Sequence, residues 1–233
     1  TIRPDGTLIS EPGYDPVTKI LFLKRPNEDW SGIPEQPTKD HVKAAVDAFL
    51  ELYQDFPVLA KCDKAAIMDA VITPVIRPGI DGSVPMFLVN ANVAGTGKTL
   101  AAHTFSFIAD GTDFPTMSQG SSAEEDEKRI TSLLIQCCRM VLIDNIASVF
   151  GNSTIDAAIT SRVWESRLLG VNETFKAPMR MCLYGTGNNI QIKGDMGRRA
   201  IWIRMECSDE DPEDRHQFKI PDLRKHILDN RVT

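Results

Sequence analysis

No apolar run among these 233 residues approaches the length of a membrane-spanning helix, and the N-terminus lacks the basic-then-apolar plan of a signal peptide. The five cysteines, Cys62, Cys137, Cys138, Cys182 and Cys207, form no C-x-x-C pair and show no metal-ligand spacing. The vicinal pair Cys137-Cys138 falls within a helical apolar pattern. A reduced, intracellular, cytoplasmic protein without a membrane partner is the expectation. Basic charge is not in surplus either: a formal net charge of -6 excludes a protein coated in basic residues for binding nucleic acid everywhere, while leaving room for a local basic groove or pore. No internal repeat and no low-complexity segment is visible. An initial Met is also lacking, as expected of a fragment of a longer chain.

What is there has the balance of an ordinary soluble globular protein, with 42% hydrophobic and 25% charged residues and enough length to bury a sizeable core. Residues 1 to 37 are rich in turn formers around a short apolar segment, Ile20 to Leu23, and read as a small hairpin and a connecting arm. From Thr38 the apolar residues Val42, Ala45, Val46, Phe49, Leu50 and Tyr53 recur at helical spacing, and a second helix is expected over about 61 to 75. Residues 77 to 82 break the pattern. Beyond them the chain alternates apolar strand-like runs with helical stretches. Helix is expected over 100 to 109, on a helix whose acidic start is Glu124-Glu125, over 152 to 164 and over 221 to 230. Strands are expected at 86 to 89, 114 to 117, 140 to 143, 179 to 184 and 200 to 204, with a hairpin over 170 to 178 and a solvated acidic loop from Ser208 to Glu213. Strands of this kind separated by helices imply an α/β fold with a mostly parallel central sheet covered on both faces. The expected division is an N-terminal hairpin arm with packing helices over 1–84 and a core over 85–233.

The core is organised around Ala91 to Leu100, A-N-V-A-G-T-G-K-T-L, directly after Met86 to Val89. A strand, a Gly-rich turn ending in Lys-Thr and an Ala/Leu-rich helix are the layout of a phosphate-binding loop. Gly95 and Gly97 let backbone N–H groups turn inward, Lys98 adds a point charge, and Thr99 offers a hydroxyl to magnesium. Ala94, Gly95, Thr96, Gly97, Lys98, Thr99 and Leu100 are therefore the expected nucleotide site, and the α/β core of 85–233 is expected to be a three-layer P-loop NTPase. Asn92 stands where the first glycine of G-x-x-x-x-G-K-[ST] usually is.

Ligands of such sheets sit at the carboxyl ends of strands, and the other polar signals fall there. Asp144 closes an apolar strand, in the place of a Walker B carboxylate that holds magnesium. The next residue is Asn145, where most ATPases of this plan have a glutamate that polarises water. An amide accepts no proton, so either hydrolysis is weak, with Asn145 only orienting water, or another carboxylate reaches it; among Glu124, Glu125 and Glu127, Glu125 is favoured over a simple helix-dipole role. Asn188, preferred over Asn189, has the position of a strand-end sensor amide. Arg198 and Arg199 offer guanidinium groups to a transferring phosphoryl, in cis or across a subunit boundary, with Arg162 and Arg167 as weaker candidates; a surface salt bridge is the alternative. Lys176 is carried by a hairpin that could line a pore and touch nucleic-acid phosphate, or could simply be solvated.

The order Gly95-Thr96-Gly97-Lys98-Thr99, Asp144-Asn145, Gly170 to Lys176, Thr186-Gly187-Asn188-Asn189 and Arg198-Arg199 resembles the AAA+ ATPase core of superfamily 3 helicases. It is most similar to the ATPase domains found with primases in phages, plasmids and integrated mobile elements, through Glu124-Glu125-x-x-Lys128, Arg167-Leu168-Leu169-Gly170 and Gly-Asp-Met-x-Arg-Arg at 194 to 199. The resemblance implies an ATP- and magnesium-dependent homo-oligomeric ring, a hexamer, acting in DNA replication of a mobile element, with arginines supplied in trans. It implies single-stranded DNA gripped through Lys176, and a primase domain or protein as partner. A nucleotide-gated DNA-binding or loading module with weak hydrolysis is the alternative that Asn145 favours. A small P-loop kinase has no use for the sensor amide or the arginine doublet.

Overall fold

A computed structural model describes residues 2–23, 34, 36–147, 149–168, 170, 172–208 and 212–231. Leu169 and Asp209 to Asp211 lie outside the described residues, as does part of the connecting arm. The N-terminal arm carries an antiparallel hairpin of β1 (Gly13–Asp15) and β2 (Ile20–Phe22). Two helices follow, α1 (Lys39–Glu51) and α2 (Lys61–Ile76). Then come β3 (Met86–Ala91), α3 (Lys98–Asp110), β4 (Thr116–Ser118), α4 (Ala123–Ile135), β5 (Met140–Ile146), α5 (Ser153–Ala158), β6 (Val163–Arg167), β7 (Thr174–Pro178), β8 (Cys182–Asn188), β9 (Ala200–Met205) and α6 (Leu223–Asn230).

The central sheet has five strands in the order β4-β5-β8-β3-β9, every neighbouring pair parallel. Its strands read as continuous apolar runs because both faces are covered. On one face α2 and α3 pack Ile67, Ala70, Val71, Ala102 and Phe105 against Phe87, Val89, Leu142 and Tyr184. On the other, Ile130, Leu134, Ile155 and Trp164 meet Met86, Leu88, Val141 and Ile143. This is the three-layer α/β fold of a P-loop NTPase. Residues 53 to 71 share the first core, so α2 is one layer of the sandwich. α1 is different: its N-cap Thr38 accepts the His41 N–H, yet none of its residues is buried.

Local departures from the expected elements have physical causes. Helix over 152–164 stops at Ala158, because Val163–Arg167 pairs along its whole length with Thr174–Pro178 and forms a longer hairpin than 170–178. That hairpin is fastened to α4 by hydrogen bonds from Trp164 Nε1 to Thr131 and from Ser166 to Glu127. The short second strand begins at Thr116 rather than Phe114, whose ring is buried and stacks on Tyr184. Cys137 and Cys138 lie just past α4: Cys137 takes φ +57°, and the N–H groups of Cys137 and Cys138 bond to the carbonyls of Leu134 and Leu133, ending the helix.

Candidate nucleotide site at the carboxyl edge of the sheet

β3 delivers the chain to the carboxyl edge, where residues 92–97 turn back into α3. Gly95 and Gly97 have φ of +74° and +83°, a left-handed geometry that glycine adopts without penalty. Space demands glycine as well. A Cβ at Gly97 would meet the Phe56 ring at 3.1 Å, and one at Gly95 would meet the backbone nitrogen of Glu213 at 3.0 Å. The end of the acidic stretch thus forms a turn over Pro212–Asp214 whose backbone lies against the loop, with Pro212 buried and Glu213 and Asp214 exposed.

Asn92 does something no glycine could do there. Its side-chain amide donates to the Cys207 carbonyl at 2.7 Å and accepts the Cys207 N–H at 3.0 Å, while its backbone N–H reaches Met205. The loop is thereby laced to the chain leaving β9. Asn90 likewise accepts the Ile190 N–H at 2.7 Å, holding the segment beyond β8. Lys98, half-buried in the first turn of α3, has its pKa lowered by burial, an effect opposed by the charge of Asp144. A partly desolvated amine at the start of a helix, whose first N–H groups lack intrahelical acceptors, is an arrangement that suits an anion.

Asp144 lies at the centre of the site's hydrogen bonding. Its Oδ1 accepts the Thr99 hydroxyl at 3.0 Å and also the hydroxyl of Thr186. The ladder between β5 and β8 shifts here: Ile143 faces Gly185 but Ile146 faces Gly187, so β5 carries one extra residue. This bulge puts Asn145 at φ +56°, exposed, with its N–H donated to the Thr186 hydroxyl at 3.1 Å. Asparagine is among the few residues that tolerate this conformation. Asn188 ends β8 level with Ala91, where the phosphate loop begins, and is exposed. Asn189, at φ +48°, spends its side chain on the Asn92 carbonyl.

The structure brings Lys98, Thr99, Asp144, Asn145 and Asn188 to one edge, while the other candidates are engaged with partners of their own. At the start of α4, Glu124 pairs with Lys128 at 2.7 Å, Glu125 with Arg129 at 2.9 Å, and Glu127 accepts from Ser166. Asp126, buried, accepts the Gly120 N–H and the Asn152 amide. Among the described residues no hydrogen bond joins these acids to Asp144. Arg198 and Arg199 precede β9 at the opposite edge: the Arg199 carbonyl accepts the Met86 N–H, at the start of β3. At about 3.3 Å per residue, the length of β3 sets them roughly 17 Å below their own phosphate loop. Arg198 is bound to Asp195 at 2.6 Å, and Arg199 lies 3.7 Å from Asp195 and 4.0 Å from Asp156. Lys176 sits within β7, paired across the strands with Glu165 at 3.2 Å, and so is not at the tip of the hairpin.

Thr186 is the residue of this hydrogen-bonded cluster that motif reading passes over. Period-2 alternation marks it, since Leu142 and Asp144 on β5 and Tyr184 and Thr186 on β8 share a face of the sheet. The donor set also fits magnesium. Thr99 and Asp144 offer hard oxygen atoms beside the loop, a partial set that phosphate and water would complete around such an ion.

No family model matches the sequence, and no curated protein matches it. Among solved structures the chain is similar to an apo A form of the NrS-1 C-terminal region, at 14% identity and a TM-score of 0.47, over 86% of this chain and 44% of that one. It is also similar to the X-ray structure of JCV helicase, at 12% identity and a TM-score of 0.47, over 83% of this chain and 52% of that one. The chain thus spans about half the length of the solved chains it matches.

Proposed function

We propose that this chain is an ATP-binding and ATP-hydrolysing AAA+ protein that acts on DNA as a replicative helicase or translocase of a phage or mobile element. The observation that carries the reading is the meeting of the phosphate loop, the Thr99–Asp144 pair and Asn188 at one edge of a parallel sheet. In this reading the loop N–H groups and Lys98 bind the β- and γ-phosphates. Thr99 and Asp144 would hold magnesium, whose charge would neutralise that developing on the phosphoryl oxygens. Asn188 would orient the attacking water. Glu125 would serve as base only after leaving Arg129, since a carboxylate held in an ion pair is a poor proton acceptor.

Arg198 and Arg199, at the far edge of their own sheet, would serve the nucleotide of a neighbouring copy in a homo-oligomeric ring, a hexamer. Lys176 on the hairpin would touch single-stranded DNA, and a primase would work beside the ring. One observation favours a second reading, a nucleotide-gated loading module: the residue after Asp144 is an exposed amide on a bulge, and among the described residues no second carboxylate is hydrogen-bonded to Thr99 or Thr186.

Steady-state ATP hydrolysis with and without single-stranded DNA separates the two, using the parent, Lys98→Ala, Glu125→Gln and Asn145→Glu. DNA-stimulated turnover that disappears in Lys98→Ala supports the motor. Nucleotide binding and ring assembly with no turnover until Asn145→Glu is introduced would instead establish the loading module. Equal turnover of Glu125→Gln and the parent would remove Glu125 as base.

A further inference from the structure

The strongest unassigned feature is the hydroxyl of Thr186. Its residue is fully buried on the central strand β8, between the strands that carry the phosphate loop and Asp144. A hydroxyl has one proton to give. Because Thr186 Oγ1 already accepts the Asn145 N–H, its own proton is directed to Asp144 Oδ1. Thr99 donates to that same oxygen, which leaves Asp144 Oδ2 with no hydrogen-bond donor among the described residues.

Two constraints make this geometry specific to the site. The extra residue of the bulge removes Asn145 N–H from the regular ladder, and Thr186, opposite it, supplies the acceptor that the strand backbone no longer does. Gly187 keeps the two strands close at this level: a Cβ there would meet the Ile146 carbonyl oxygen at 2.6 Å. Thr186 therefore fixes both the rotamer of Asp144 and the turn of the backbone that follows it.

We infer that Thr186 is the positioning residue of a magnesium site, orienting Asp144 so that one carboxylate oxygen is reserved for Thr99 and Thr186 and the other faces the metal. This rests on the nucleotide reading above. Groups that orient metal ligands typically contribute about 10- to 100-fold in metal affinity or activity. The hydroxyl should matter to the magnesium-bound state and not to phosphate binding by the loop itself.

The test is calorimetric binding of ADP to the full chain, with saturating magnesium and with EDTA, in the parent, Thr186→Val and Thr186→Ser. The parent should bind ADP more tightly with magnesium. In Thr186→Val that enhancement should fall about 10-fold or more, while the magnesium-free affinity stays within about 2-fold of the parent and Thr186→Ser restores the enhancement. A purely structural role would move both affinities together. If Thr186→Val fails to fold, by its circular-dichroism melt, Thr186→Ala carries the same comparison. An unchanged magnesium enhancement in the hydroxyl-free variant, or a Thr186→Ser variant as impaired as it is, overturns the inference. No ADP binding by the parent in either condition would overturn the nucleotide reading itself, whereas ADP binding with no magnesium enhancement would overturn the inference alone.

Discussion

The two edges of the central sheet use polar residues in opposite ways. At the carboxyl edge, Asn90, Asn92, Thr99, Asp144, Thr186 and Asn189 are joined by directed hydrogen bonds of 2.7 to 3.1 Å, apart from the still shorter contact between Thr186 and Asp144. At the amino edge, Arg198 makes a short ion pair of 2.6 Å with Asp195 from a side chain that is 83% exposed, and Arg199 lies 3.7 and 4.0 Å from Asp195 and Asp156. Hydrogen bonds with fixed directions pre-organise a site, whereas exposed ion pairs exchange partners at little cost. On the proposed function, one edge receives a ligand in this chain, and the other would present its guanidinium groups to something outside it.

The sharpest way to break that comparison is to mix subunits. Lys98→Ala alone, and the double variant Arg198→Ala with Arg199→Ala alone, should each lose about 100-fold or more in ATP turnover, the scale expected on removing a charge that stabilises the transferring group. Mixed in equal amounts, they should recover measurable turnover, because a loop from one copy meets the arginines of another. Recovery absent from a mixture that co-assembles by sedimentation would show that the two edges do not cooperate.

Within the carboxyl edge, the bulge predicts large stability effects at neighbouring positions. Gly187→Ala forces a methyl group against the Ile146 carbonyl oxygen and should cost about 1–3 kcal/mol in denaturant unfolding. Gly170→Ala, also a glycine but with φ +79° and no atom within 4 Å of a Cβ, should cost about 1 kcal/mol. Equal losses at the two would mean the strands do not approach as closely as described. Asn145→Val, a β-branched residue at φ +56°, should cost about 1–2 kcal/mol, while Asn145→Gly should leave stability nearly unchanged. Asn145→Gly separates the backbone's need for this conformation from any work the amide does on water. If it keeps stability and loses turnover, the amide is functional.

The same contrast explains what could be read from the sequence. The strands of the sheet are legible because burial on both faces leaves continuous apolar runs, and the phosphate loop because glycine, lysine and threonine at fixed spacing follow one of them. Asp144 and Asn188 follow from strand ends. The bulge does not: nothing in M-V-L-I-D-N-I announces an extra residue, which exists only relative to the register of β8. Thr186 is hidden for that reason, being one threonine in a strand until Asp144 and Asn145 are placed opposite it. Asn92 looks like a damaged motif and proves to be a brace, because its partner Cys207 is 115 positions away. The placement of Arg198 and Arg199 at the far edge is implicit in a parallel sheet, since residues that precede a strand cannot lie where strands end. The partners of Glu124, Glu125 and Glu127 combine helix spacing, which is legible at i and i+4, with a contact to the hairpin, which is not.

The smallest predicted effect compares Asp144 with a carboxylate held in the same chemical manner far from the site. Asp15, in the N-terminal hairpin, accepts the hydroxyl and the N–H of Thr18 and the guanidinium of Arg3. The Thr18 hydroxyl bond comes first, followed by its N–H and then Arg3, and together they draw the Asp15 pKa down to about 2. A depressed folded-state pKa stabilises only the ionised form. The contribution is therefore complete above the unfolded value near 4 and is lost as the pH falls toward 2. Amide exchange over residues 13 to 22 should accelerate across that window relative to intrinsic rates, and Asp15→Asn should abolish the pH dependence. Because Thr18 is buried and leads the interaction, Thr18→Val should raise the midpoint more than Arg3→Gln does. The reverse ranking would show that charge, and not the directed hydroxyl bond, holds this carboxylate, and would weaken by analogy the role given to Thr186 beside Asp144.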